Sequence, residues 1–155
     1  MKEAIVVYWL REQLRDVVGP VMEEAMNGLG FVSRAATLLD ASSGWWEAHR
    51  SFALPYIRHR FHCFVERQGE DPTADVIPAY EHLIRLGQEK GELSDAVPAA
   101  RMASYLHFLA LSALLDWLAV PDRQLADRYA DALDFFLQGA RQPRGTPSAE
   151  NQSAS

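Results

Sequence analysis

Residues 98–119 read PAARMASYLHFLALSALLDWLA. Proline stands only at the front, glycine is absent, and the polar positions after Met102 are Ser104, His107, Ser112 and Asp116. A helix that is apolar on nearly every side has to be covered on every side. From Met102 to Val120 the length also suits a membrane span. His107 and Asp116 interrupt that span, and a charged side chain in lipid is expensive. Arg101 and Asp122 flank it without a positive-inside pattern. The reading is therefore the buried helix of a soluble protein, with no membrane partner. At about 100° per residue, Ala99, Ala103, Ala110 and Ala113 share one stripe, with Leu106 and Trp117 alongside. Small side chains let a second helix approach closely, either from the same chain or from a second copy.

The rest of the chain supplies candidates for that cover. After Pro121-Asp122, Leu125, Tyr129, Leu133 and Phe136 form one helical stripe backed by Asp127, Arg128, Asp131 and Asp134, and the helix should stop at Gly139. Upstream, Val76, Ile77, Tyr80, Leu83 and Ile84 form the apolar face of a helix that starts near Asp75, with Pro78 in its first turn, and ends at Lys90-Gly91. Trp45 to Gln68 is a long amphipathic segment whose Pro55 predicts a kink or a break. Ser42-Ser43-Gly44 reads as the turn before it, and Phe31 to Ala41 as a separate helix. Lys2 to Val18 should be helical and close at Gly19-Pro20, with Pro20 opening a short helix that ends near Gly28. No segment alternates with period two. The expectation is an all-α bundle of about six to seven helices. Residues 1–140 form one domain, and the Pro-, Gly- and Ser-rich residues 141–155 are expected to be a disordered tail.

Composition narrows the function classes. The chain has 155 residues, 48% of them hydrophobic and 23% charged, as in an ordinary soluble domain. Its formal net charge of −6 argues against autonomous DNA binding by these residues, though not against membership of a regulator. With Cys63 the single cysteine, neither an intrachain disulfide nor a Cys-based zinc site can form, which suits a reducing, cytoplasmic setting. The apolar run from Ala4 to Leu10 is too short for a secretory signal.

Chemistry-bearing groups are sparse. His59 and His62 lie three apart, with Cys63 and Glu66 nearby, but no second cluster completes a metal site at a recognisable spacing. The segment reads equally as the polar back of an Arg-rich helix, where Arg58, Arg60 and Arg67 would be surface groups. No G-x-S-x-G, H-E-x-x-H, phosphate-loop or dinucleotide glycine pattern occurs. The expectation is a protein that is not an enzyme and carries no metal or cofactor. Sixteen aromatic residues fall largely on converging helices. Trp9, Phe52, Tyr56, Tyr105 and Phe108, joined by Met26 and His59, are the candidate wall of an apolar ligand cavity; a solid core is the other reading of the same stripes.

Two phrases carry a family resemblance. Leu83-Ile84-Arg85-Leu86-Gly87-Gln88-Glu89-Lys90-Gly91-Glu92-Leu93, followed by Asp95-Ala96-Val97-Pro98-Ala99-Ala100-Arg101-Met102-Ala103, resembles the C-terminal half of TetR/AcrR-type transcriptional regulators. In those proteins a helix ends in a G-x-x-x-G-x-L phrase, and a D-x-x-P-x-x-x-A link opens an apolar helix finishing near a Trp, here Trp117. Phe135-Phe136-Leu137-Gln138-Gly139 is similar to the end of their last helix, and Met1-Lys2-Glu3-Ala4-Ile5 to the start of the long helix that joins head to body. The resemblance implies an effector-binding and dimerisation body that senses a small apolar molecule and pairs as a homodimer. It places Ala103, Ala110, Ala113, Trp117, Tyr129, Leu133 and Phe136 of the last two helices in a dimer four-helix bundle. The family's helix-turn-helix head has no counterpart in residues 1–155, so DNA would be met only through a head outside this chain. A headless ligand-binding or heterodimerising protein is the alternative, and a His-site metal protein a more distant one.

Overall fold

The computed structural model describes residues 2–66, 76–120 and 122–141. Among the described residues six α-helices follow one another: α1 Lys2–Met26, α2 Phe31–Ala48, α3 Ala53–Glu66, α4 Val76–Glu89, α5 Ala99–Ala119 and α6 Leu125–Ala140. A single 3-10 turn, Arg50–Phe52, joins α2 to α3. No strand occurs among the described residues, so the fold is an all-α bundle. The loop 69–72 and the expected tail lie outside the described residues, except Arg141, which forms an isolated bridge with Leu93.

The apolar helix α5 is the centre. It packs against α4 on one flank, α6 on another and α3 on a third, while α2 reaches α6, α1 and α4. The α5 segment is long and apolar enough to cross a membrane, but half of its most apolar window is buried inside the bundle. Leu106 and Leu114 of α5 are wholly enclosed, together with Phe31, Leu83, Ile84, Leu93 and Leu125.

Three local expectations shift. Pro20 does not end the first helix; α1 runs through it. The bond it lacks would have gone to Asp16, and Asp16, Gly19 and Pro20 all face outward, where water can take the freed carbonyl. Val18, Val21 and Met22 dock on the core from both sides of the proline and hold the helix in line. Ser42-Ser43-Gly44 is likewise no turn. The Ser43 hydroxyl donates to the Asp40 carbonyl at 2.8 Å, inside the helix, and α2 continues to Ala48. The break expected at Pro55 falls at His49 instead, where φ is −125° and ψ is 39°. Pro55 is the third residue of α3, a first-turn position that needs no backbone donor, so the new helix starts just ahead of it.

The junction after α4 forms as its phrase suggests. Gly91 takes φ +73°, the Glu92 N–H donates to the Gly87 carbonyl at 2.9 Å, and the Gly91 N–H donates to the Gln88 carbonyl at 3.0 Å. This is the paired bonding of a Schellman cap, and the next residue, Leu93, folds back onto Gly87. Glu92 then reaches across, and its carboxylate accepts the Phe31 N–H at 2.8 Å, capping α2 from a distant segment. Glu47 does the same for α6, accepting the Leu125 N–H at 3.2 Å. Each carboxylate sits where the helix dipole favours an anion.

Gly87 and Gly44 should therefore respond oppositely to alanine. A Cβ on Gly87 would lie 2.9 Å from Leu93 Cδ1 and 3.4 Å from Phe31 Cβ, whereas one on Gly44 meets nothing within 4 Å. Gly44→Ala should raise stability by about 0.5–1 kcal/mol through helix propensity. Gly87→Ala should lower it by about 1–3 kcal/mol through overpacking. Urea denaturation followed by circular dichroism measures both, and two shifts of the same sign would contradict the packing described.

Candidate functional site

The bundle interior is not wholly apolar. Ser42 and Trp46 of α2, Tyr56 and Arg60 of α3, Tyr80 of α4, His107 of α5 and Tyr129 of α6 point toward a common region. Each helix contributes by its ordinary period: Tyr56 and Arg60 stand one turn apart, as do Ser42 and Trp46. Arg60 is 5% exposed and His107 is 3% exposed. Arg60 Nε donates to His107 Nε2 at 3.0 Å, which makes Nε2 the acceptor and leaves the ring proton on Nδ1. The His107 ring also lies 6.4 Å from the Tyr80 ring, and Tyr56 lies 4.9 Å from Trp46. Burial raises the Tyr80 hydroxyl far above its ordinary value near 10, and Tyr56 adds to it. Tyr129 is raised for the same first reason, with Tyr80 contributing, although a hydrogen bond to Ser42 works the other way. Both hydroxyls stay protonated across the physiological range.

Two small voids border these groups. One of about 30 Å³ is bounded by Ser42, Tyr56, Tyr80, His107 and Tyr129 with apolar neighbours from α5. A second, also about 30 Å³, lies toward α1 among Val17, Val18, Val21, Leu38 and Trp45. They share Ser42, Val76 and Tyr80 as walls.

The larger concavity is outside. A groove of about 570 Å³ runs along the outer face of α5 and α6, lined chiefly by Val97, Met102, Tyr105, Phe108, Leu109 and Phe135. It continues into a hollow of about 350 Å³ bounded by Ser112, Asp116, Arg128 and Asp131. Tyr105 is 55% exposed and Phe135 68% exposed, large apolar rings facing outward from the two helices. At the charged end Arg128 donates to Asp116 at 3.3 Å, to Asp122 at 2.8 Å and to the Val120 carbonyl at 2.8 Å.

The ligand-wall residues expected from helix faces separate into several places. Tyr56 borders the inner void. Trp9 packs on Phe52, ring centroids 5.0 Å apart, at the α1–α3 edge of the bundle. Met26 is exposed at the end of α1, and His59 is half-buried on α3. Tyr105 and Phe108 face the outer groove. The residues expected to form a dimer stripe lie at low exposure within the single chain. Ala103, Ala110, Ala113, Trp117, Tyr129, Leu133 and Phe136 are all 8% exposed or less within a single chain. The small residues admit a neighbouring helix of the same chain, and the face left open is the adjacent one through Tyr105, Leu109 and Phe135.

Arg60, read from sequence as a surface group, is buried; its one-turn offset from Tyr56 was the available signal. Tyr80 and Tyr129 lie on apolar stripes, and nothing in the spacing marks where their hydroxyls point. Among the described residues no group of three His, Cys, Asp or Glu side chains is placed to hold a metal ion.

No family model matches the sequence, and no curated protein does. The structure is similar to that of FadR from Thermus thermophilus, a TetR-family transcriptional repressor crystallised in complex with lauroyl-CoA. The TM-score is 0.76 over 97% of this chain and 78% of that chain, at 19% sequence identity. This chain has the TetR-regulator fold. In this fold the penultimate and last helices are α5 and α6, the pair that leaves an apolar face uncovered.

The buried hydroxyls give a measurable signature. Of five tyrosines, Tyr80 and Tyr129 should resist ionisation in the folded protein. A group whose folded pKa is raised contributes stability that is fully present below its unfolded value near 10 and is lost as pH climbs beyond it. Tyrosinate absorbance should therefore rise in two stages, the second coinciding with loss of helical circular dichroism. One smooth transition of all five with helicity intact would contradict the enclosed site.

Proposed function

We propose that this chain is the effector-binding and dimerisation body of a TetR-type transcriptional regulator, working as a homodimer and carrying no enzymatic activity. The observation that carries the proposal is the open apolar face of α5 and α6 on a chain with this fold. Exposed apolar surface of that extent, flanked by charged groups, marks an interface. A second copy related by a two-fold axis would lay its own α5 and α6 against Tyr105, Leu109 and Phe135, giving a four-helix bundle. The alanine stripe stays inside each subunit and sets the spacing of α5 from its neighbours.

Effector binding is assigned to the interior between α1–α4 and α5. FadR of Thermus thermophilus holds lauroyl-CoA; that match supports a small-molecule ligand for this body as well. The mechanism is a population shift between two arrangements of the dimer, with the effector binding one more tightly. DNA contact is assigned to a helix-turn-helix head outside residues 1–155, because the six helices here build the body and the net charge is −6. A cytoplasmic location belongs to the same reading.

Sedimentation should report twice the chain mass of 17.4 kDa. Phe135→Glu, on the open face, should raise the dimer dissociation constant by at least about thirtyfold, the size of an interface hot spot, and leave helicity unchanged. Ala110→Glu, in the enclosed stripe, should instead unfold the chain. A wild-type monomer at high concentration would overturn the proposal.

A further inference from the structure

Along its outward side α5 carries Arg101, Tyr105, Phe108, Leu109, Ser112 and Asp116, none of them buried within the single chain. At about 100° per residue the six fall in one stripe about 100° wide. The stripe is symmetric about its middle in spacing and opposite in charge at its ends. Arg101 precedes Phe108 by seven positions and Asp116 follows Leu109 by seven; Tyr105 and Ser112 stand three positions out on either side. Leu109, together with Phe135 of α6, borders both the apolar groove and the charged hollow, so the midpoint of the stripe is also the midpoint of the open face.

A two-fold axis can lay two such stripes together in two ways. With the α5 helices parallel, every residue meets its own copy, so Arg101 faces an arginine and Asp116 a carboxylate, and both ends repel. With the helices antiparallel and the axis between Phe108 and Leu109, Arg101 of each copy faces the partner's Asp116, and Tyr105 faces the partner's Ser112. Hydrocarbon then closes the centre and the ion pairs lie at the rim, the ordinary layout of an interface. Both charges are available for this. Arg101 is exposed and has no side-chain partner among the described residues. Asp116 accepts from Arg128 at 3.3 Å, yet its side chain stays 74% exposed and can share a second cation. Within one chain the two cannot meet, because fifteen positions of helix hold them about 22 Å apart.

Resting on the homodimer reading above, we propose that the occupant of the open face is a second copy of this chain with its α5 antiparallel, in a register fixed by two symmetric Arg101–Asp116 pairs between subunits. The apolar centre supplies affinity; the charged ends select the partner and its direction. An unrelated protein would have to present a carboxylate and a cation at the same spacing, which the two-fold supplies without further design.

Sedimentation equilibrium at low salt, with circular dichroism as the check on folding, decides it. Arg101→Glu should raise the dimer dissociation constant about tenfold, because symmetry applies the reversal twice. Asp116→Arg should do the same, and the chain carrying both should return to within about threefold of the unmodified one. The loss in Arg101→Glu should shrink in 1 M salt. If Asp116→Arg disturbs folding beside Arg128, Asp116→Asn replaces it, leaving Arg128 its bonds to Asp122 and the Val120 carbonyl. Asp116→Asn should weaken the dimer several-fold and cancel most of the effect of Arg101→Glu. A parallel pairing would trade one like-charge contact for another and leave the dissociation constant unmoved by Arg101→Glu. A dimer that ignores both reversals, or in which their effects simply add, overturns the antiparallel register while the homodimer stands. An unmodified chain that stays monomeric overturns both.

Discussion

Covering α5 is the constraint on which the rest of this structure depends. A 21-residue helix this apolar cannot face water along its length. Three helices of the same chain take most of the task. The alanines at 99, 103, 110 and 113 let neighbouring backbones come close, and Leu106 and Leu114 fill the space between them. What α3, α4 and α6 leave open is a strip through Tyr105 and Leu109, extended by Phe135 of α6. The open face follows from the number of partners: three helices cannot enclose a fourth completely when one of them, α3, touches it only lightly.

The same constraint explains the long-range caps. With α5 at the centre, α2 and α6 run antiparallel along one another, and their N-termini are brought beside segments that are remote in sequence. Glu92 reaches the start of α2 and Glu47 the start of α6, each satisfying an otherwise orphaned backbone donor. Both helices lack a side-chain cap of their own. The tertiary arrangement thus supplies what their local sequences do not, and the capping of each helix is conditional on the packing of the others.

Helix identity was largely legible from periodicity because a 3.6-residue apolar stripe needs no knowledge of its partner. The Gly87 to Leu93 phrase was the most readable of all, since an αL glycine and its following leucine are a local device. Three kinds of feature were not legible. Pro20 and Pro55 mark where a backbone bond is missing, but whether a helix stops there depends on solvent and on docking of the flanking turns. The alanine stripe predicts close helix approach, but not whether the approaching helix belongs to the same chain. Arg60 has the composition of a surface residue, and only its phase with Tyr56 and the position of His107 on another helix place it inside. The site residues depend on such relations between helices, so the candidate wall drawn from single helix faces scattered.

A polar cluster inside a small bundle requires a physical account of its own. Buried hydroxyls and an Arg–His pair contribute little net stability compared with well-packed hydrocarbon, and their loss of hydration has to be matched bond for bond. They do make the interior directional, because only one arrangement of α2, α3, α4, α5 and α6 brings all the groups into register. His107 and Phe108 are successive residues of α5, one turned to the cluster and the other to the outer groove, with ring centroids 5.9 Å apart. Phe108 in turn contacts Phe61 of α3 at 5.9 Å, the helix that carries Arg60. His107, held at Nε2 by Arg60, and the outer face through Tyr105 and Leu109 belong to one continuous helix. One side of α5 thus carries the interior cluster and the other the open apolar face, with no loop or hinge between the two.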